Sequence, residues 1–257
     1  MKYYVTADVH GFFDEFRSAL DAAGYFRDTG PHKLIICGDL FDRGQQALKL
    51  QEFILTLLEK DEAILIRGNH EDLTLNLLNN WHRESYLQSH HITNGTLDTV
   101  LQLTNNSTDA IFFDPGAVGR DFLRSPYIQT IIPAMLDYYE TPHYIFTHGW
   151  IPCTAIHLSP YHTEYAYMED WRNAAEKAWD AARWQNGMEA AHSGITEPGK
   201  TIVCGHWHCS FGHALYEGKG GEFSNSPDFT PYYADGIIAL DACTVRSRSV
   251  NCIVIDD

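Results

Sequence analysis

Apolar and polar positions follow one another in blocks along this chain. Five short apolar runs, rich in β-branched or aromatic residues, each end in a cluster of Asp, His, Asn and Gly. Residues 3–6 lead into Asp8-Val9-His10-Gly11, 34–37 into Gly38-Asp39-Leu40-Phe41-Asp42-Arg43-Gly44, and 63–66 into Arg67-Gly68-Asn69-His70-Glu71. Residues 144–146 lead into Thr147-His148-Gly149, and 201–204 into Gly205-His206-Trp207-His208. Continuous apolar runs of this length are the mark of strands buried on both faces. Between the first three runs the period is helical: 12–23 closes on Gly24, and 45–60 places Leu48, Leu50, Phe53, Ile54, Leu57 and Leu58 along one stripe. Strand and helix in alternation predict parallel strands joined by right-handed crossovers, so the polar clusters converge on one edge of a sheet, where open α/β sheets bind ligands.

The rest is less regular. Residues 73–103 read as helix broken by a polar stretch at 81–94, and 105–115 reads as loop, so 76–135 is expected to be a mostly helical cap or insertion within one domain spanning 1–257. A helical stretch is predicted over 163–191. Beyond Cys209 the expectation is short strands: 211–216, then a Gly/Ser/Pro-rich loop at 218–231, then 236–242 and 250–256 as a terminal hairpin.

Composition narrows the partners. The 34 acidic and 18 basic residues give a formal charge of −16, which leaves no general footprint for extended nucleic acid or an anionic membrane. Without an apolar stretch of membrane-spanning length or a leader-like start, the sequence predicts a soluble, cytoplasmic protein. Its six cysteines contain no Cys-x-x-Cys pair and are expected to be reduced, buried thiols.

The converging residues are Asp8, His10, Asp39, Asn69, His148, His206 and His208. Imidazoles, carboxylates and one amide carbonyl suit Mn, Fe or Zn better than calcium or an all-oxygen magnesium site. The set is too large for one tetrahedral ion. Two ions about 3.5–4 Å apart, bridged by Asp39, would use it.

These motifs resemble those of the calcineurin-like metallophosphoesterases, and within them the phosphoprotein phosphatase branch: Asp-x-His-Gly at 8–11, Gly-Asp-x-x-Asp-Arg-Gly at 38–44, Gly-Asn-His-Glu at 68–71, His-Gly at 148–149 and Gly-His at 205–206, in family order. The resemblance implies two packed mixed sheets flanked by helices, an α/β/β/α sandwich. It implies two divalent ions, manganese in vitro with iron or zinc as alternatives: Asp8 and His10 on the first, Asp39 bridging, Asn69, His148 and His206 on the second. His208 departs from the branch but matches the wider group's Gly-His-x-His, whose last His joins the first ion. The implied reaction is attack in line on phosphorus by a hydroxide held between the ions. Arg43 is the first phosphate clamp and Arg183 the second; His70 is the general acid, its ring held by Asp42. Glu71 matches the motif without a chemical role, and Trp150 and Trp207, beside two ligand histidines, read as packing residues, with stacking on a nucleobase or flanking the substrate as the alternative.

The implied substrate is a phosphomonoester of the serine/threonine phosphoprotein type, with diadenosine tetraphosphate, another dinucleoside polyphosphate or a phosphodiester as the alternative. Loops at 152–162 and 218–231 are expected to decide between them. Two other classes compete: a cysteine-dependent phosphatase using Cys37 and Arg43, whose spacing fits a thiolate loop, and a metal-binding scaffold without turnover. Asp39 and Asp42 inside that loop would repel a phosphate dianion, which argues against the first.

Overall fold

The computed structural model describes residues 1–83, 86–159 and 162–257. Strands β1 (Lys2–Thr6), β2 (His32–Cys37) and β3 (Ala63–Ile66) lie parallel, with Lys2 opposite His32 and Leu34 opposite Ala63. Their crossovers are α1 (Phe13–Ala23), which buries Phe16 and Leu20, and α2 (Ala47–Glu59), which buries Leu50, Ile54 and Leu57 at helical spacing. The first helix stops at Gly24, whose left-handed backbone (φ 93°) turns its N–H back onto the last carbonyls.

From Asn69 to Ala134 the described residues form helices and turns: α3 (Asn69–Asn80), α4 (Ser89–Thr93), α5 (Thr96–Thr104), α6 (Thr108–Phe113), α7 (Pro115–Leu123), a π-helical turn at Tyr127–Ile131 and α8 (Ile132–Ala134). The expected loop at 105–115 therefore contains a helix, and Asp114 starts the next one by accepting the Ala117 N–H, with Pro115 in the first turn. Of the polar stretch 81–94, residues 84 and 85 lie outside the described residues. These helices bury Val100, Val118, Phe122 and Tyr127 in the same apolar cluster as Phe16, Leu50 and the outward face of the first sheet, Tyr4, Leu34 and Ile36.

A second sheet holds β4 (Tyr139–Glu140), β5 (Tyr144–Phe146), β8 (Thr201–Cys204), β9 (Tyr232–Ala234) and β10 (Ile237–Ala239) in the order β4-β5-β8-β10-β9, with β5, β8 and β10 parallel. Between β5 and β8 run a two-stranded ribbon, β6 (Cys153–Ser159) and β7 (His162–Tyr167), and the helices α9 (Glu176–Ala182) and α10 (Gly187–His192). The predicted helix at 163–191 is thus strand at its start, where Thr163, Tyr165 and Tyr167 place β-formers at every second position. Of the loop 152–162, residues 160 and 161 lie outside the described residues.

The C-terminal part departs furthest from expectation. Residues 211–216 belong to α11 (Cys209–Tyr216), because Cys209, Gly212 and His213 are buried at helical spacing. The two last strands form no hairpin. β10 pairs with β9 and β8, and α12 (Thr244–Ser247), between left-handed Cys243 and Arg248, carries the chain across to β11 (Cys252–Asp256), which runs antiparallel to β1 in the first sheet.

The sheets pack face to face. Tyr3, Val5, Ile35, Cys37 and Ile66 of the first meet Phe146, Val203 and Leu240 of the second in one buried cluster, while Ile145, Ile202 and Ile237 turn outward to Trp150, Trp171, Trp179 and Met188. Each run is apolar at successive positions because both its faces are covered. This is the expected α/β/β/α sandwich. No helix among the described residues is long and apolar enough to cross a membrane.

Candidate metal centre

Six parallel strands end along one seam between the sheets: β1, β2 and β3 from one, β5, β8 and β10 from the other. At these ends Asp8, His10, Asp39, Asp42, Arg43 and His206 all hold left-handed backbone, with φ between 50° and 72°. Such conformations cost free energy in residues with a Cβ and persist only where surrounding structure imposes them. Here the loops are laced together, His10 N–H to Asp39 O at 2.9 Å and Gly11 N–H to Leu40 O at 2.8 Å. Two motif glycines follow from the same crowding: a Cβ on Gly68 would lie 2.1 Å from Asp39 Oδ1, and one on Gly205 would lie 2.0 Å from Asp8 Oδ2.

The imidazoles are aimed by their outer nitrogens. His10 donates its Nδ1–H to the Phe41 carbonyl at 3.0 Å and His148 its Nδ1–H to the Cys37 carbonyl at 2.8 Å, which leaves each Nε2 facing Asp39, at 3.6 Å from Oδ2 and 3.4 Å from Oδ1 respectively. His70 Nε2 lies 3.8 Å from the same Oδ2. Asp39 is therefore shared by two groups whose ligand atoms fall within 4.8 Å of one another, His10–Asp39–His70 and Asp39–His148–His206. Asn69 Oδ1 joins the second group, 2.8 Å from His148 Nε2 and 2.9 Å from His206 Nδ1. Burial pushes His10 and His148 below the ordinary histidine value and His206 down to about 3, so their rings are neutral with lone pairs available, the form a metal requires. Buried neutral imidazoles, a shared carboxylate and an amide oxygen fit two first-row ions.

Two expected ligands stand apart from these groups. Asp8 is buried beside them, but its carboxylate accepts the His206 N–H at 3.0 and 3.1 Å, and burial with the charges of Asp241 and Asp39 raises its pKa. His208 belongs to neither group. Its Nε2 meets Glu222 Oε1 at 3.1 Å, a partner supplied by the 218–231 loop.

Around His70 the contact with Asp42 is present and has further support. Its Nδ1–H donates to Asp42 at 2.7 Å, and Asp42 also accepts the hydroxyls of Thr96 and Thr99, each at 2.8 Å, from α5. Burial opposes a charge on His70, but Asp39 and Asp42 outweigh it and hold its pKa above the ordinary value. Exposed Arg43 donates to His70 Nε2 at 3.1 Å. Glu71 gains the role that sequence left open: its carboxylate accepts the backbone N–H of Gly68 (2.7 Å), Asp39 (3.1 Å) and Leu40 (3.0 Å), joining the loops after β2 and β3.

Arg183 corrects an expectation. Instead of an open clamp it is a buried guanidinium whose nitrogens each meet a carboxylate, Asp72 at 2.6 Å, Asp137 at 2.7 Å and Asp180. It cross-links α3 to α9. Cys37 cannot act as a thiolate nucleophile: its thiol is enclosed between the sheets near the Val203 carbonyl, and burial pushes its pKa upward. Trp150 is packing, its indole N–H donated to the Ile195 carbonyl at 3.1 Å, whereas Trp207 lines an open cleft with Arg43, His206 and His208.

Sequence reasoning missed Asp241. It follows β10 as Asp39 follows β2, an apolar run ending in a carboxylate, and that signal was hidden by assigning the run to a hairpin. Burial outweighs the Cys243 N–H and the Arg43 charge that favour its ionised form, and its pKa is pushed up to about 7. Thr96 and Thr99 carried no sequence signal.

The bis(5'-nucleosyl)-tetraphosphatase PrpE (asymmetrical) of Geobacillus sp. strain WCH70 is 37% identical over 76 residues, 27% of this chain and 31% of that protein. The namesake from Anoxybacillus flavithermus is 36% identical over 78 residues, 28% of this chain and 32% of its own. The match thus spans about a third of the length of these curated relatives. Among solved structures, the cold-active protein-tyrosine phosphatase of a psychrophilic Shewanella sp. shares the fold at 15% identity, with a TM-score of 0.52 over 100% of this chain and 75% of that one. A family model described as calcineurin-like phosphoesterase matches residues 1–210, and the chain belongs to that family.

Proposed function

We propose that the chain is a metal-dependent phosphoester hydrolase, folded as one domain over 1–257 with the helices of 76–135 as its cap. The observation that carries this reading is the single carboxylate, Asp39, shared by two groups of buried histidines at the strand ends. In the proposal Asp8, His10, Asp39, Asn69, His148 and His206 hold two divalent ions. Bound there, the ions supply Lewis acidity and bring the pKa of water within reach of neutral pH.

The remaining steps belong to side chains. Arg43, exposed at the mouth, binds the phosphate oxygens; in doing so it leaves His70 Nε2, which takes up a proton from solvent, favoured by the Asp39 and Asp42 charges, and as imidazolium delivers it to the leaving oxygen. Asp42 keeps the opposite nitrogen of that ring protonated, and Thr96 and Thr99 keep Asp42 in place. Phosphomonoesters remain one substrate reading; the shared name of the relatives supports a second, dinucleoside polyphosphates.

The test is a screen of manganese-loaded protein against an aryl phosphate, a phosphoserine peptide and diadenosine tetraphosphate. Activity should disappear with a chelator and survive thiol alkylation. Protein that carries two ions per chain yet hydrolyses none of the three would sink the enzymatic reading in favour of a scaffold.

A further inference from the structure

Beside the candidate centre opens a cleft of about 590 Å³. One wall is a run of rings: Trp207 lies near-parallel to His208 at 6.0 Å between centroids, His208 meets Phe223 at 4.6 Å, and the Arg246 guanidinium sits 4.8 Å over the Phe223 ring. Trp207 carries a buried indole N–H with no acceptor among the described residues. Such donors are rare unless a ligand or water completes them. In a chain of net charge −16 this cleft brings together two guanidiniums, Arg43 and Arg246, against the carboxylates Asp98 and Asp241.

Its position gives it a direction. Arg43 both lines the cleft and touches His70 Nε2, so the cleft lies on the side where a group protonated by His70 would depart. A seryl leaving group would bring neither a ring for the wall nor a charge for Arg246. A planar, anionic group brings both.

We infer, resting on the hydrolase reading above, that this cleft receives the leaving group and is built for a nucleoside phosphate, its base against Phe223 and Trp207 and its phosphate facing Arg246. Stacking of a base on an aromatic side chain and a guanidinium beside phosphate oxygens are the two contacts proteins use for such groups. The 218–231 loop, which supplies Phe223 and Glu222, then acts as a specificity element.

Phe223 is 46% exposed and Arg246 lies on the surface, so replacing either leaves the fold intact. With manganese-loaded full chain, Phe223→Ala should raise KM for diadenosine tetraphosphate about tenfold. The Kd of the hydrolysis-resistant adenosine 5′-(α,β-methylene)diphosphate should rise by the same factor, while kcat and KM for a phosphoserine peptide stay within about twofold. Phe223→Tyr should restore both. Arg246→Ala should raise KM for diadenosine tetraphosphate and inorganic tripolyphosphate but not for phenyl phosphate. Equal losses on all substrates, or an unchanged KM for diadenosine tetraphosphate, would overturn the inference. Wild-type protein that cleaves the peptide but binds no nucleotide analogue refutes the cleft alone; protein that binds the analogue but cleaves nothing refutes the hydrolase reading and leaves the cleft standing.

Discussion

The two sheets contribute to the candidate centre in unlike ways. The first sheet supplies compact clusters, 8–11, 38–44 and 68–71, whose loops hold one another through Glu71 and short backbone bonds. The second supplies single side chains, His148, His206 and Asp241, each on its own strand end and far apart in sequence. Neither half is complete: His148 is aimed by a carbonyl of β2, and Asp8 after β1 is held by the N–H of His206. The centre exists only when the inner faces are packed, so the apolar cluster between the sheets is also what sets its geometry.

The sharpest way to break this comparison is at the one residue both halves share. Asp39→Asn should abolish binding of both ions and reduce turnover by more than the roughly 10–100-fold that loss of an outer partner costs. His148→Asn, by contrast, should leave one ion per chain by elemental analysis. If Asp39→Asn still carries two, the carboxylate does not join the halves.

Within the first half, metal binding and proton delivery should separate. His70→Asn is expected to lower kcat by about 10²–10⁴ on a substrate with a poor leaving group. Near-normal rates there would remove the acid assignment. One step further out, the paired change Thr96→Val and Thr99→Val strips two hydroxyls from buried Asp42. The expected losses are about 10–100-fold in kcat and about 1–3 kcal/mol in stability by denaturant unfolding, because a buried carboxylate loses its donors.

The last test is a pH difference in the second half, read in metal-free protein. Asp241 has a pKa of about 7 in the fold against 3.8 outside it, so the folded state holds the proton more tightly. Its stabilising contribution is full below about 3.8 and is lost as pH rises through 7. Asp241→Asn, which mimics the protonated form, should therefore match wild type at pH 4 and gain on it steadily up to pH 7 in thermal melts. A constant difference across that range would mean Asp241 titrates normally.

The first half was legible in sequence because its residues are contiguous and the strand–helix alternation fixes their common edge. The second was legible only where a histidine marked a strand end. Asp241 was missed because an apolar run near other short strands reads equally well as a hairpin, and only the helical step at 244–247 carries β11 to the other sheet. Arg183 was read as a phosphate clamp; of the three aspartates that neutralise it only Asp180 stands at helical spacing, while Asp72 comes from α3 and Asp137 from the stretch before β4, which no sequence spacing connects to it. His208 has the spacing of a ligand, yet Glu222, fourteen residues on, decides where its ring points.

For protein engineering, the left-handed backbone at Asp8, His10, Asp39, Asp42, Arg43 and His206 marks where foldability and chemistry pull apart. Glycine would relax each of these positions by roughly 1 kcal/mol. A selection for thermal robustness that does not score turnover would therefore drift toward glycine or asparagine at these same codons, and the survivors would be firmer scaffolds with no reaction left to run.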